Sequence, residues 1–182
     1  MRSISTLVAL VSLTLPLRAQ TQGDSPEAVT QQYVTALRAN DWKRMTALMH
    51  PQALARFRGM MSAALHSNEG KSLRDEFFGG ATAAQLDSLN DADFYSRFLA
   101  AAMRSEPDLE AAMDSAQIKI VGHVQESPDI VHVVFTMRLA MGPISISKPD
   151  IVTLKRQGNT WRALLRAEME IMAATLEQRF RS

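Results

Sequence analysis

A few residues in this 182-residue chain are of types that could do chemistry: a carboxylate on an apolar strand face, a pair of histidines, eleven methionines and a row of cations. Asp150 comes first. Two-residue turns at Gly142-Pro143 and Gly158-Asn159 set it between Phe135 and Ala167 on the apolar side of a strand. A carboxylate buried there without a partner favours its protonated form, the property a general base for enolisation needs. Two other arrangements stay open: Pro149 bulges the strand and turns Asp150 outward, or Lys148 or Arg156 neutralises it. His123 and His132 come next. A turn at Ser127-Pro128 puts them opposite each other, as two metal ligands, a pH-sensitive pair or two solvated histidines. A tetrahedral metal site needs four ligands, and only Glu168 shares their face, so no metal is expected. Met45, Met49, His50 and Met60-Met61 have thioethers suited to Cu(I), but their spacing is also that of buried helix stripes, and core packing is the expectation. Lys119, Lys155, Arg162 and Arg166 form a basic strand face without the aromatic or glycine-loop partners of an anion or nucleic-acid site.

Composition supports this restraint. The chain is 46% hydrophobic and 21% charged with a formal charge of +1, which gives no electrostatic case for nucleic acid. It has no cysteine, which excludes a disulfide scaffold, a thiolate zinc site, a cysteine nucleophile and a cysteine-anchored lipoprotein. No GxSxG, HExxH or Walker-type loop occurs, and no cofactor is expected. Met1-Arg2-Ser3, the apolar run Ile4 to Leu17 and the Leu17-Arg18-Ala19 junction read as a signal peptide over residues 1–19. The run is shorter than a membrane span. The expectation is a secreted or periplasmic protein, residues 20–182, without a membrane anchor after cleavage.

The elements that must position these residues are read from periodicity. Ser25-Pro26-Glu27 starts a helix carrying Val29, Tyr33, Ala36 and Leu37 on one side. Asp41 caps a short second helix with Trp42, Met45, Leu48 and Met49, ended by His50-Pro51. Leu54, Phe57, Met61 and Leu65 mark a third. Gly70 and Gly79-Gly80 punctuate a linker holding Phe77 and Phe78. Thr82 and Gln85 have capping-box spacing, and Asn90 or Asp91 caps a helix with Phe94, Phe98 and Leu99. Leu109 to Met113 adds a turn. Residues 66–116 thus form a mostly helical middle.

Near residue 117 the period falls from 3.6 to 2, and four strands follow as an antiparallel meander, with a helix from Met169 to Phe180. The order predicts an α+β fold, with N-terminal helices packed on one face of a curved four-stranded sheet and a helix at the C-terminus. The turns sort the strand residues. One face collects Ile118, Ile120, Val124, Val131, Val133, Phe135, Met137, Leu139, Ile144, Ile146, Val152, Leu154, Ala163, Leu165 and Met169. The other takes Lys119, His123, His132, Arg138, Ser145, Ser147, Lys155, Arg162, Arg166 and Glu168. On this outer face Val121, Val134 and Ile151 fall in one row with Leu164 nearby, which predicts a homodimer through the sheet.

Two stretches carry a family resemblance. Pro26 to Met49, with Tyr33, Leu37, Ala39-Asn40-Asp41-Trp42 and Leu48-Met49, resembles the opening helix pair of the NTF2-like superfamily, and Gly158-Asn159-Thr160-Trp161-Arg162 resembles its final hairpin. That superfamily includes ketosteroid isomerases, SnoaL-like cyclases and scytalone dehydratase. The resemblance implies a cone with an interior pocket, for which Tyr33, Trp42, Phe57, Phe135 and Trp161 are the expected lining, holding a small apolar ligand. It also implies frequent dimerisation. The expected role is non-catalytic, as a ligand binder or dimeric interaction module. The alternative is a cofactor-free isomerase, cyclase or dehydratase with Asp150 as general base and Tyr33 or Tyr95 as hydrogen-bond donor. The middle segment and the C-terminal helix depart from the family's common pattern.

Overall fold

Ser25 starts the first helix as its sequence predicts. Its hydroxyl accepts the Ala28 N–H at 3.1 Å, Pro26 fills the first helical position, and Glu27 lies in the first turn. The computed structural model describes residues 25–67, 70–141 and 144–181, so the leader over 1–19 lies outside the described residues. Among the described residues, seven helices precede the sheet: α1 (Pro26–Arg38), α2 (Trp42–Ala47), α3 (Pro51–His66), α4 (Gly70–Phe78), α5 (Ala83–Asp87), α6 (Asp91–Arg104) and α7 (Pro107–Asp114). The strands β1 (Gln117–Ser127), β2 (Ile130–Met141), β3 (Ile144–Gln157) and β4 (Thr160–Ala163) form one antiparallel sheet in sequence order, and α8 (Ala167–Arg181) follows. The fold is α+β, as predicted. The caps are also those read from the sequence. Asp41 accepts from Arg44, Thr82 and Gln85 close a capping box, and Asn90 accepts from Asp93.

The expected linker around Phe77 and Phe78 is instead helix α4. Gly70 does not break the chain there but admits it. A Cβ at this position would sit 2.1 Å from the Ala64 carbonyl oxygen, so only glycine lets α4 begin so close to the end of α3. The helix brings both rings into an aromatic cluster. Phe77 lies 4.9 Å from Phe98 and Phe78 5.0 Å from Phe94, while Phe57 meets Tyr95 edge-on at 4.7 Å.

The second and third hairpins have the predicted registers: Phe135 pairs with Asp150, Met141 with Ile144 and Gln157 with Thr160. Pro149 does not interrupt β3, where it pairs with Thr136. The first hairpin differs. Its turn residues are Pro128 and Asp129, and bulges fall between Ile120 and Gly122 and between Gln125 and Ser127. Up to Ile120 the predicted pairing holds. Beyond it, His123 pairs with Val133 and Val124 with His132, so the side chains change faces. Val124 is therefore exposed on the outer face, not in the core, and His123 lies on the helix side, hydrogen-bonded to Glu27 of α1.

Strand β4 stops at Ala163 rather than running on through Ala167. The Ala163 N–H donates to Leu48 and its carbonyl accepts the His50 N–H, which forms a short parallel bridge at Met49. On the strand's other side the Leu164 N–H still donates to the Thr153 carbonyl of β3; beyond it the chain leaves the sheet and enters α8 at Ala167, so Ala167 does not face Asp150. Ile144 and Ile146, expected in the core, are exposed because the helices do not cover the free end of the β2–β3 hairpin.

Candidate functional site

Asp150 occupies the helix-side face of β3, opposite Phe135. It is neither bulged outward nor paired with Lys148 or Arg156. Its Oδ1 accepts the Ile151 N–H at 2.8 Å, and its Oδ2 accepts from Arg166 Nη2 at 2.5 Å. The two side chains are 19% and 25% exposed, a largely desolvated pair. Arg166, expected on the outer basic face, reaches inward because the chain has left the sheet after Leu164. Its Nε also lies 3.7 Å from Glu168.

Tyr33 of α1 and Tyr95 of α6 are both buried near this pair. Burial pushes the Tyr33 phenol up to about 12; the Arg166 charge lowers it and the Asp150 charge raises it. Tyr95 is also pushed well up, by burial and by Tyr33, against the opposing pull of Arg166. Both phenols are therefore neutral hydrogen-bond donors at ordinary pH. Neither hydroxyl has a hydrogen-bond partner among the described residues, and the buried Thr30 hydroxyl on the same helix as Tyr33 also lacks one. The arrangement offers donors to an acceptor oxygen. It does not offer a free base, because a substrate proton would compete with a guanidinium for Asp150.

The residues expected to line a pocket are part of one packed core. Tyr33, Phe57, Phe135 and Trp161 are buried and Trp42 packs half-buried against them. Arg156 stacks its guanidinium 4.2 Å above the Trp161 ring. The cavities described, of about 450, 270, 240 and 50 Å³, are lined by none of these five. The largest lies at Gly79, Gly80 and Arg97, away from the sheet.

The remaining sequence candidates are accounted for. The bulge in β1 separates the two histidines onto opposite faces, so they form neither a ligand pair nor a coupled pair. His132 holds Glu126 and the Thr153 hydroxyl on the outer face. Among the described residues, no three of His, Cys, Asp and Glu come together as metal ligands. Met45, Met49, Met60 and Met61 are buried in the core, and His50 Nδ1 accepts the Gln52 N–H to cap α3. Of the basic row, Lys155 donates to Gln52 of α3 and Arg162 to the Ala47 carbonyl. No described helix is long and apolar enough to cross a membrane.

On the outer face, Val134 pairs with Ile151, while Val121 at the bulge and the neighbouring Val124 project beside them. Val121, Val124 and Ile151 are 63%, 62% and 53% exposed. The bulge thus adds Val124, expected in the core, to the predicted apolar row.

No known protein family matches the sequence, and no curated protein is similar to it. Two solved structures resemble the chain. An NTF-2 like protein of unknown function from Shewanella oneidensis is 12% identical over 74% of this chain and 88% of its own, with a TM-score of 0.39. A putative calcium/calmodulin-dependent protein kinase type II association domain from Thiobacillus denitrificans is 17% identical over 78% of this chain and 91% of its own, with a TM-score of 0.38.

Proposed function

We propose that this chain is a non-catalytic, exported NTF2-like module that pairs with a second copy of itself through the outer face of its sheet. The observation that carries this reading is the patch of Val121, Val124 and Ile151, largely exposed around Val134 on a face otherwise polar. The helix side supports it, since the expected pocket residues are packed against one another there. Sedimentation tests the reading. At physiological salt the wild-type chain should self-associate through this face at tens of micromolar, and Ile151→Asp should weaken that association at least tenfold without loss of helical signal. A wild-type chain that shows no association through this face, with Ile151→Asp sedimenting unchanged, defeats the reading.

A second reading is favoured by the unpartnered phenols. Tyr33 and Tyr95 beside Arg166 would receive a small, mostly apolar ligand with one carbonyl or carboxylate oxygen. The isomerase-type alternative needs Asp150 to accept a proton while Arg166 holds it, and the ion pair argues against that. A ligand screen by thermal shift separates these readings. Stabilisation of wild type that is lost in Tyr33→Phe/Tyr95→Phe supports binding, and turnover lost in Asp150→Asn would support catalysis.

A further inference from the structure

Among the described residues, three of the six exposed large apolar side chains belong to the outer patch. The other three are Ile144, Ile146 and Ile171, at 61%, 48% and 68% exposure, and none of them is on that face. Ile144 and Ile146 sit on the helix side of β3 at the free end of the hairpin, and Lys148 continues the same face two residues on. Ile171 sits on α8 with Glu168 three residues before it, on the same side of the helix. The two surfaces read in complementary order: apolar, apolar, cation along the strand, and anion, apolar along the helix.

The chain does not join these surfaces itself. α8 packs on α3, anchored by the Arg56–Glu170 pair at 2.9 Å, and leaves Ile171 and Glu168 in solvent. Lys148 has no ion-pair partner among the described residues, and Glu168 has only the 3.7 Å contact with Arg166. We propose that the hairpin end of one copy receives the exposed side of α8 from a second copy, with Ile171 on Ile144 and Ile146 and Glu168 on Lys148. The spacing is compatible. Ile146 to Lys148 spans about 7 Å of strand, while Glu168 to Ile171 spans about 4.5 Å of helix rise, and the long Glu and Lys side chains close the difference. Each copy carries both surfaces, so the exchange can be reciprocal, with the same contact formed twice about a two-fold axis. This contact is separate from the outer-face patch, so the two form independently of each other.

The experiment separates this contact from the outer-face dimer by working in the Ile151→Asp background. Expected is a residual dimer at tens of micromolar in low salt. Adding Lys148→Glu should weaken it at least tenfold, as should Glu168→Lys alone. The double exchange Lys148→Glu/Glu168→Lys should restore it, which a merely misfolded or generally repelling variant would not do. A monomer in the Ile151→Asp background overturns the proposal while leaving the outer-face reading intact. So does a dimer indifferent to Lys148→Glu, or a double exchange that fails to restore association. If a small amphiphile occupies the hairpin end instead, its addition stabilises the monomer and abolishes the dimer, and the proposal falls.

Discussion

Removing the guanidinium from the Asp150–Arg166 pair leaves a carboxylate on the helix side of the sheet with no counter-charge. In Arg166→Met the side chain keeps most of its apolar bulk, so the loss is chiefly electrostatic. Breaking a fully buried pair costs about 3–5 kcal/mol, and breaking a surface pair costs about 0–1 kcal/mol. At 19% and 25% exposure this pair lies nearer the buried limit, and about 2 kcal/mol is expected. Asp150→Asn keeps one acceptor oxygen, for the Ile151 N–H or for Arg166 but not for both, and should cost about 1–2 kcal/mol. The double variant leaves neither charge stranded. It should be more stable than the sum of the singles implies, with a coupling of about 1–2 kcal/mol. Urea titrations with unchanged slopes measure all three. Additive single costs refute the pairing argument. Clear stabilisation by Asp150→Asn would do so as well, because it would mean a buried ion without effective compensation and would promote the catalytic alternative.

Two further outcomes follow from local structure. His50 caps α3 through Nδ1, and burial, with Lys155 and Arg162, holds its pKa below 6.5. Its contribution is thus present above 6.5 and lost as pH falls through the lowered value, because the unfolded chain takes the proton first. His50→Asn keeps a capping oxygen and should flatten this loss in urea titrations from pH 7 to 5, measured as the difference from wild type. Gly158 turns the third hairpin at a φ of +59°, so Gly158→Ala should cost about 1–2 kcal/mol in thermal or urea unfolding.

Local chemistry was the most legible part of the sequence. Ser25, Asp41, Thr82 and Asn90 cap the helices they were expected to cap, because a capping side chain needs only its own next few N–H groups. The Gly158-Asn159 turn fixed the β3–β4 register for the same reason. Errors arose where a distant backbone decided the outcome. Gly122 inside a strand is the signal for the β1 bulge, and strict alternation, which ignores it, puts His123 and Val124 on the wrong faces. Gly70 has the residue type of a break, yet here it lets two helices approach. Alternation assigns Arg166 to the outer face, but the chain leaves the sheet after Leu164 and α8 begins at Ala167, so Arg166 follows no strand register. Nothing near Arg166 in the sequence announces that exit.

The pairing of Ala163 with Leu48 and His50 has a consequence for how the molecule can associate. An open sheet has two free margins, and a bare margin is a template for adding foreign strands without limit. Here the β4 margin is occupied by the Leu48–His50 backbone, and the β1 margin is kinked by bulges at two places. Beyond the four residues of β4, however, the margin of β3 from Ile144 to Val152 carries no further strand among the described residues, and Pro149 is the position there that offers no N–H to an added one. The exposed valine and isoleucine side chains lie on faces rather than along that margin, and contacts between faces are the ones that can close on themselves into finite particles.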